Sequence, residues 1–468
     1  MTETQAAAVA NAPTSGAHAA LVRAGLELLD ANSIGTATRP GPLYPHQWSW
    51  DSAAIAMGRS PWDQEGAERE LRSLFAAQWS DGLLPHIVFT DSDAYFPGPG
   101  FWQTERAAHA PADARTSGIV QPPIHATAAW RVYLKAADRE RATIFLRDLF
   151  PGLVAWHDYL YRFRQRDGDG LVEVWHPWES GMDNSPAWDE ALARIRLTPA
   201  DVPEYRRVDV DLSTDPAGRP SDAEYDRYAY LVQVFREHDY DSERLRETTP
   251  FAIQPLLFNS LLVQSGRDLA RIARVVGADG APYEAQADAT AAGLEKLWDE
   301  SAQTYLDWDA LSGRPVRRRT AAGFAPLYAG VPSPRRAQQM LDAFARFQAP
   351  LGDGLVAVPT IAPDEPDFAP GLYWRGPVWP IFQWVVHHGA RRYGREELAR
   401  ALRETTLALT ERSGFWEHYS PLTGDGQGDP GFSWTVGLVL DLVEQVEIGV
   451  EGEQTSSRVG RDPGPERR

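Results

Sequence analysis

The chain contains no cysteine. That removes disulfides, thiolate nucleophiles and cysteine-based zinc sites together, and it fits a cytoplasmic protein. No apolar run is long enough to span a bilayer. The N-terminus, MTETQAAAVANAPTSG, lacks both the basic and the leucine-rich region of a secretory leader, so no membrane partner is expected. Positive charge is in deficit: 46 Lys and Arg against 65 Asp and Glu leave a net charge of −19, which excludes nucleic acid as an expected partner. No Ser-His-Asp elbow, phosphate loop, dinucleotide glycine fingerprint or fixed-period repeat occurs. Histidines are scattered singly, as at His46, His86, His125 and His176, and the adjacent pair His387-His388 would diverge on a helix. Neither a metal nor a cofactor is therefore expected.

Aromatic residues, by contrast, are abundant: 17 Trp, 16 Tyr and 17 Phe. Rings stack on the C–H faces of sugars, so a surplus of Trp favours a carbohydrate site, although most rings will be core. At 468 residues, 43% of them hydrophobic, the chain can bury a large core.

Apolar residues recur at helical spacing along most of the chain. Helices are predicted from about Ser15 and over Glu65–Trp79, Ile124–Lys135, Ala142–Phe163, Phe251–Val276, Tyr283–Leu297, Ser333–Phe347, Val378–Tyr393, Glu396–Arg412 and Ser433–Val446. Another starts in the WSWDSAAIAMG stretch, where Asp51 is placed as an N-cap. Strand-like alternation is scarce. Long Gly/Pro/aromatic loops lie between the helices, at about Leu83–Pro123, Asp167–Pro186 and Pro350–Pro377, and loops this long are usually functional. The fold class expected is all-α, an α/α toroid whose inner helices present their loops at one mouth. Residues 1–14 and 450–468 are expected to be disordered, 15–449 to form the catalytic domain, and about 184–250, rich in Asp, Arg and Tyr, to form a lid.

The stretch HPWESGMDNSP, His176 to Pro186, sets Glu179 and Asp183 among aromatics, with Gly181 to let a ligand approach and Asn184 to bond hydroxyls. A carboxyl against such walls has its pKa raised, as a general acid near neutral pH requires. Its bland counterpart is a Trp-bearing turn with acids capping the next helix. Tyr44 to Asp51, YPHQWSWD, can stack a sugar ring on two Trp and grip its hydroxyls. Gln121, before Pro122-Pro123, belongs at a helix mouth. Arg219 and Tyr225 occupy a loop able to fold over a ligand, Arg219 as a clamp for an anionic group. Tyr373, Trp374 and Trp379 form a second aromatic platform, and Glu417, flanked by Trp416 and Tyr419, is the natural second carboxylate. Each of these also has a structural reading, as core rings, a helix cap or a buried ion pair. Asp167 to Gly170 resembles a calcium loop, but its fifth and twelfth positions would be Leu171 and Trp178, so it is read as a turn. Two acids in aromatic–Gly loops suit glycoside hydrolysis, in which one carboxyl protonates the leaving oxygen and the other activates water or attacks the sugar.

Taken together and in order, HQWSWD, the QPP turn, WESGMDNSP, RPSDAEYDRY, YWRGPVWP, FWEHYSPLTG and FSWT resemble glycoside hydrolase family 63, and within it the bacterial mannosylglycerate and glucosylglycerate hydrolases, over about residues 40–447. The resemblance implies an (α/α)6 barrel with loop and helical insertions at the active-site mouth, and an inverting attack on an α-glycosidic bond. It implies Asp183 as general acid and Glu417 as general base. It also implies Tyr44, Trp48, Ser49, Trp50 and Asp51 around the reacting sugar, with Gly181, Tyr373, Trp374 and Trp379. Gln121, Phe96 or its neighbour Tyr95, Arg219 and Tyr225 would contact a glycerate aglycone, with Arg219 facing its carboxylate. Inversion requires the two carboxyls roughly 6.5–9.5 Å apart. Loops around Arg219 and Leu83–Phe101 are expected to close over the substrate. QWSWDSA and RGPVWP also resemble trehalases. An epimerase-type toroid would need paired histidines at the mouth, and a non-catalytic sugar-binding protein would have lost a carboxylate. The partner expected is a small sugar, as in compatible-solute metabolism; a homo-oligomer is allowed, and the choice of hexose stays open.

Overall fold

Six helices close into an inner ring in the computed structural model, which describes residues 18–444 with 93–94, 167, 213–215 and 353 excepted. The expectations for residues 1–14 and 450–468 lie outside the described residues, as does Asp167. In ring order the inner helices are Ser49–Arg59, His125–Lys135, Leu256–Val276, Ala325–Ala329, Pro380–Arg392 and Ser433–Val443, and the last packs on the first. Alternating with them in the chain are Ala19–Ala31, Gln64–Ala76, Arg139–Phe163, Ala281–Glu295, Pro334–Phe347 and Glu396–Ser413, which form the outer layer. The fold is an (α/α)6 barrel.

Burial separates the two layers. Every residue of Ser49–Arg59 is buried, as an inner helix requires, whereas Arg139–Phe163 buries only a stripe, including Ala142, Phe145, Leu146, Leu149, Leu153, Trp156 and Leu160. The ring closes where two glycines meet: a Cβ on Gly58 would lie 2.2 Å from the Gly437 carbonyl oxygen, so the first and last inner helices cross with backbones in contact. At the C-terminal end of the ring, Asp441 is buried against Arg131 at 2.6 Å, Lys135 at 2.9 Å and the Trp384 indole N–H at 2.8 Å. Burial alone would raise the Asp441 carboxyl, but Arg131 and Lys135 outweigh it and hold it well below the usual carboxylate range.

Helix boundaries depart from the periodicity where capping decides them. Asp138 accepts from the Arg141 N–H and starts its helix at Arg139, three residues before the apolar stripe. The helix expected from Phe251 begins only at Leu256, because Pro255 forces its neighbour into extended backbone. Ile253–Gln254 instead pairs antiparallel with Trp308–Asp309. Asp51 is not an N-cap: the helix starts at Ser49, and Asp51 lies in its first turn. Within the expected lid, Ser221 and Glu224 form a reciprocal cap and launch Asp222–Glu237, whose Tyr225, Tyr228, Leu231, Val232 and Phe235 join the main core. That helix is a packed wall. No helix among the described residues is long and apolar enough to cross a membrane.

Candidate active site

The N-terminal ends of the inner helices and the loops before them enclose a cavity of about 710 Å³, open mouth included. Trp48 and Trp50 come from the start of Ser49–Arg59, Gln121 from the QPP turn, and Trp434 from the start of Ser433–Val443. Tyr373, Trp374 and Trp379 come from the approach to Pro380–Arg392. The platform is tight. Trp374 and Trp379 stack with centroids 3.7 Å apart and planes 10° from parallel, and Trp50 and Trp434 lie 4.4 Å apart. Gly181 is required here: its φ is +75°, and a Cβ would lie 2.6 Å from Trp50 Cη2 and 2.9 Å from Pro122 Cγ.

Asp183 and Glu417 both line this cavity. Burial pushes the Asp183 carboxyl up to about 7; the Arg219 guanidinium opposes the shift and the Glu417 charge adds to it. Donors converge on Glu417. Its Oε1 accepts from the Tyr44 hydroxyl at 2.8 Å and the Tyr373 hydroxyl at 2.9 Å, and its Oε2 from the Asp429 backbone N–H at 3.0 Å. A carboxylate offers about four acceptor positions, and the hydrogen bonds described fill two on Oε1 and one on Oε2.

Arg219 is the one Arg or Lys among the described lining residues. Its Nη1 donates to the Tyr44 hydroxyl at 3.0 Å and lies 3.9 Å from Glu417 Oε2, and its guanidinium sits 4.2 Å over the Tyr373 ring. Its Nε reaches Asp209 at 3.4 Å. Asp209 is in turn gripped by both arms of Arg207, which lies 3.9 Å over the Tyr225 ring. A chain of alternating charges thus ties the insertion to the cavity wall. Asp51 is also at the cavity, where burial first, then the Glu417 and Asp183 charges, raise its carboxyl well above the usual range, with a backbone hydrogen bond opposing them.

Most of the expected contacts meet at this cavity: Asp183, Glu417, Tyr44, Trp48, Trp50, Asp51, Gln121, Gly181, Arg219, Tyr225, Tyr373, Trp374 and Trp379 all line it. Four expectations change. The Ser49 hydroxyl turns away, to His125 Nε2 at 2.9 Å. Phe96 packs behind the wall on Phe101 and Tyr205, and its neighbour Tyr95 takes the lining position. Asn184 accepts from the Trp374 N–H at 2.9 Å, so it aligns the platform. Glu179 is fully buried in a bidentate pair with Arg164 at 2.8 Å and accepts backbone N–H groups from Val120, Trp175 and His176. It is the scaffold of its turn. Its neighbours in sequence gave no sign of Arg164 as a partner, which arrives from the end of a helix.

Sequence reasoning also passed over His86, Trp178 and Trp434, which line the cavity. Burial holds the His86 imidazole neutral, down at about 3. Among the described residues no cluster of three or more His, Asp or Glu side chains could hold a metal ion.

An (α/α)6 barrel with Asp51, Asp183 and Glu417 facing one aromatic cavity at its mouth defines the class: a glycoside hydrolase. Residues 44–435 match the mannosylglycerate hydrolase MGH1-like glycoside hydrolase domain, and the chain belongs to that family. It is 47% identical to a mannosylglycerate hydrolase of Rubrobacter radiotolerans, over 89% of this chain and 95% of that one. It is 40% identical to a glucosylglycerate hydrolase of Mycolicibacterium hassiacum, over 88% and 95%. The GH63 mannosylglycerate hydrolase from Thermus thermophilus, solved in complex with Tris and D-glycerate, superposes with a TM-score of 0.83 at 43% identity, over 90% of this chain and 99% of that one.

Proposed function

We propose that the chain hydrolyses the α-glycosidic bond of a hexosylglycerate with inversion, releasing the hexose and glycerate. The observation that carries this reading is the unequal provision for the two carboxyls. Asp183 is raised to about 7 and so holds a proton near neutral pH, whereas Glu417 meets three donors, two on Oε1 and one on Oε2. Asp183 donates its proton to the glycosidic oxygen as the bond to the anomeric carbon breaks. A water on the opposite face attacks that carbon, and Glu417 takes the water's proton at Oε2. Trp50, Trp374 and Trp379 form the apolar walls against the sugar ring, and Asp51 and Gln121 take its hydroxyls. Arg219, the cation of the cavity, meets the glycerate carboxylate, with Tyr225 beside it and Tyr95 in the lining position that Phe96 does not fill. Every group named comes from one chain, so the chemistry requires no second copy, and the lack of cysteine supports a cytoplasmic setting.

The test is to incubate the protein with glucosylglycerate, mannosylglycerate, trehalose and maltose and follow the released sugar by proton NMR. Release of the β-anomer from a glycerate substrate is expected, and the preferred glycerate identifies the hexose. Release of the α-anomer refutes inversion. Activity on trehalose or maltose with none on either glycerate removes the aglycone assignment. Asp183→Ala and Glu417→Ala should each lose turnover by at least about a thousandfold while remaining folded. A variant that keeps its rate loses its assigned role.

A further inference from the structure

Asp429 lies outside the cavity lining, behind Glu417, on the strand Gly426–Pro430 that pairs with Trp416–Tyr419. It makes two contacts that point in one direction. Its backbone N–H donates to Glu417 Oε2 at 3.0 Å, and its Oδ2 accepts from the Leu43 N–H at 2.9 Å. Leu43 immediately precedes Tyr44, whose hydroxyl donates to the other oxygen, Glu417 Oε1, at 2.8 Å. One residue therefore holds one oxygen of Glu417 directly and, through the backbone at residue 43, aims the phenol that holds the other.

We infer that Asp429 is a positioning residue for the hydrolysis, locking the Glu417 carboxylate so that it faces the attacking water. The inference rests on Glu417 being the base. Without the tie from Asp429 to Leu43, the segment bearing Tyr44 loses a link to the hairpin bearing Glu417, although the two are 373 residues apart in sequence. The Tyr373 hydroxyl, which donates to Oε1 and lies 3.1 Å from the Tyr44 hydroxyl, depends on the same alignment. The electrostatics agree that Asp429 is not placed for stability alone. Burial and then the Glu417 charge push its carboxyl up to about 7, against the Leu43 hydrogen bond and the charges of Arg219 and Arg39. A second buried carboxyl beside Glu417 is costly, and the loop contact supplies a role for it.

The experiment compares kcat and KM of wild type, Asp429→Asn and Asp429→Ala on the hexosylglycerate that the wild type hydrolyses, each alone and in a Tyr44→Phe background. Misplacement of a reacting group by about 1 Å costs on the order of a hundredfold. Asp429→Ala should accordingly lose about ten- to a hundredfold in kcat with KM changed less than about threefold. Asp429→Asn keeps an acceptor for the Leu43 N–H and should return to within about threefold of the wild-type kcat, a rescue that tracks the hydrogen bond. In the Tyr44→Phe background the alanine loss should shrink, because two residues acting through one contact are not additive. Should the alanine variant fail to fold, Asp429→Ser carries the same comparison. A wild-type kcat for Asp429→Ala, an Asn variant no better than Ala, or an undiminished loss in the Tyr44→Phe background each overturns the inference. Glu417→Ala run alongside separates the two readings. If it is inactive while Asp429→Ala is normal, only the inference about Asp429 falls. If it retains its rate, the base assignment falls first.

Discussion

Replacing Asp183 with Asn preserves the shape of the side chain but removes a charge that the cavity resists. The carboxyl stands at about 7 instead of its ordinary 3.8, with burial the main cause. A shift of roughly three units at about 1.36 kcal/mol each sets a ceiling near 4 kcal/mol on the penalty for ionising Asp183 in the folded protein. The side chain is half-buried rather than sealed, and solvent screening reduces the figure to about 1–3 kcal/mol. A carboxyl raised on folding favours the native state at pH values below its unfolded pKa. That advantage is lost as pH rises through the folded pKa, here between about 4 and 7. Asn never ionises and so never pays that penalty. The variant should match wild type at pH 4 and unfold roughly 2–5 °C higher at pH 8, measured by tryptophan fluorescence on heating. Its turnover should fall by at least about a thousandfold. The cavity would then be more stable without the Asp183 carboxyl than with it. A Tm gain equal at both pH values, or a loss at pH 8, refutes the reasoning.

Three further expectations follow from the same geometry. Arg219→Gln should raise KM for a hexosylglycerate by about tenfold or more. It should also move the basic limb of kcat/KM to higher pH, because Arg219 opposes the upward shift of Asp183; a limb that moves to lower pH contradicts the coupling. Gly181→Ala places a methyl 2.6 Å from Trp50 at a φ of +75° and should cost about 2–3 kcal/mol in urea unfolding while weakening sugar binding; a neutral substitution would mean that the Trp50 wall yields. Asp441→Asn leaves Arg131 and Lys135 buried without their counter-charge and should cost about 3–5 kcal/mol, yet leave kcat and KM unchanged where the protein stays folded. A change in kcat would couple the two ends of the barrel.

The helices of the barrel were legible because long amphipathic periods survive without knowledge of tertiary partners. The inner helix Ala325–Ala329 was not, since five residues show no period, and its Leu327 and the preceding Phe324 look like any apolar loop. Asp222–Glu237 was hidden differently. Its charge and tyrosine content suggested a lid and no helix was read there, although the Ser221–Glu224 cap was present to be read. At the site, residue type and local motif located the aromatic walls and the three cavity carboxyls, Asp51, Asp183 and Glu417. They failed where direction matters: Ser49 and Phe96 stand one residue from lining positions, and backbone geometry alone decides which neighbour faces in. Glu179 and Asp183 share one stretch of sequence, and only Arg164, arriving from the end of a separate helix, makes one a scaffold while the other faces the cavity.

The crossing of Gly58 and Gly437 has a consequence for how the protein is made. The ring is sealed by its first and last inner helices, and Glu417 is oriented by Tyr44 from the opposite end of the chain. During synthesis, five of the six inner helices can emerge and begin to pack while the hairpin bearing Glu417 and the sixth helix are still missing. A half-made chain lacks Trp434 in its cavity wall, and the cavity is complete only when the final helix docks. Activity is thus a report on completion of the whole circle, and a chain cut before residue 433 would be expected to lose activity, solubility and cooperative unfolding together.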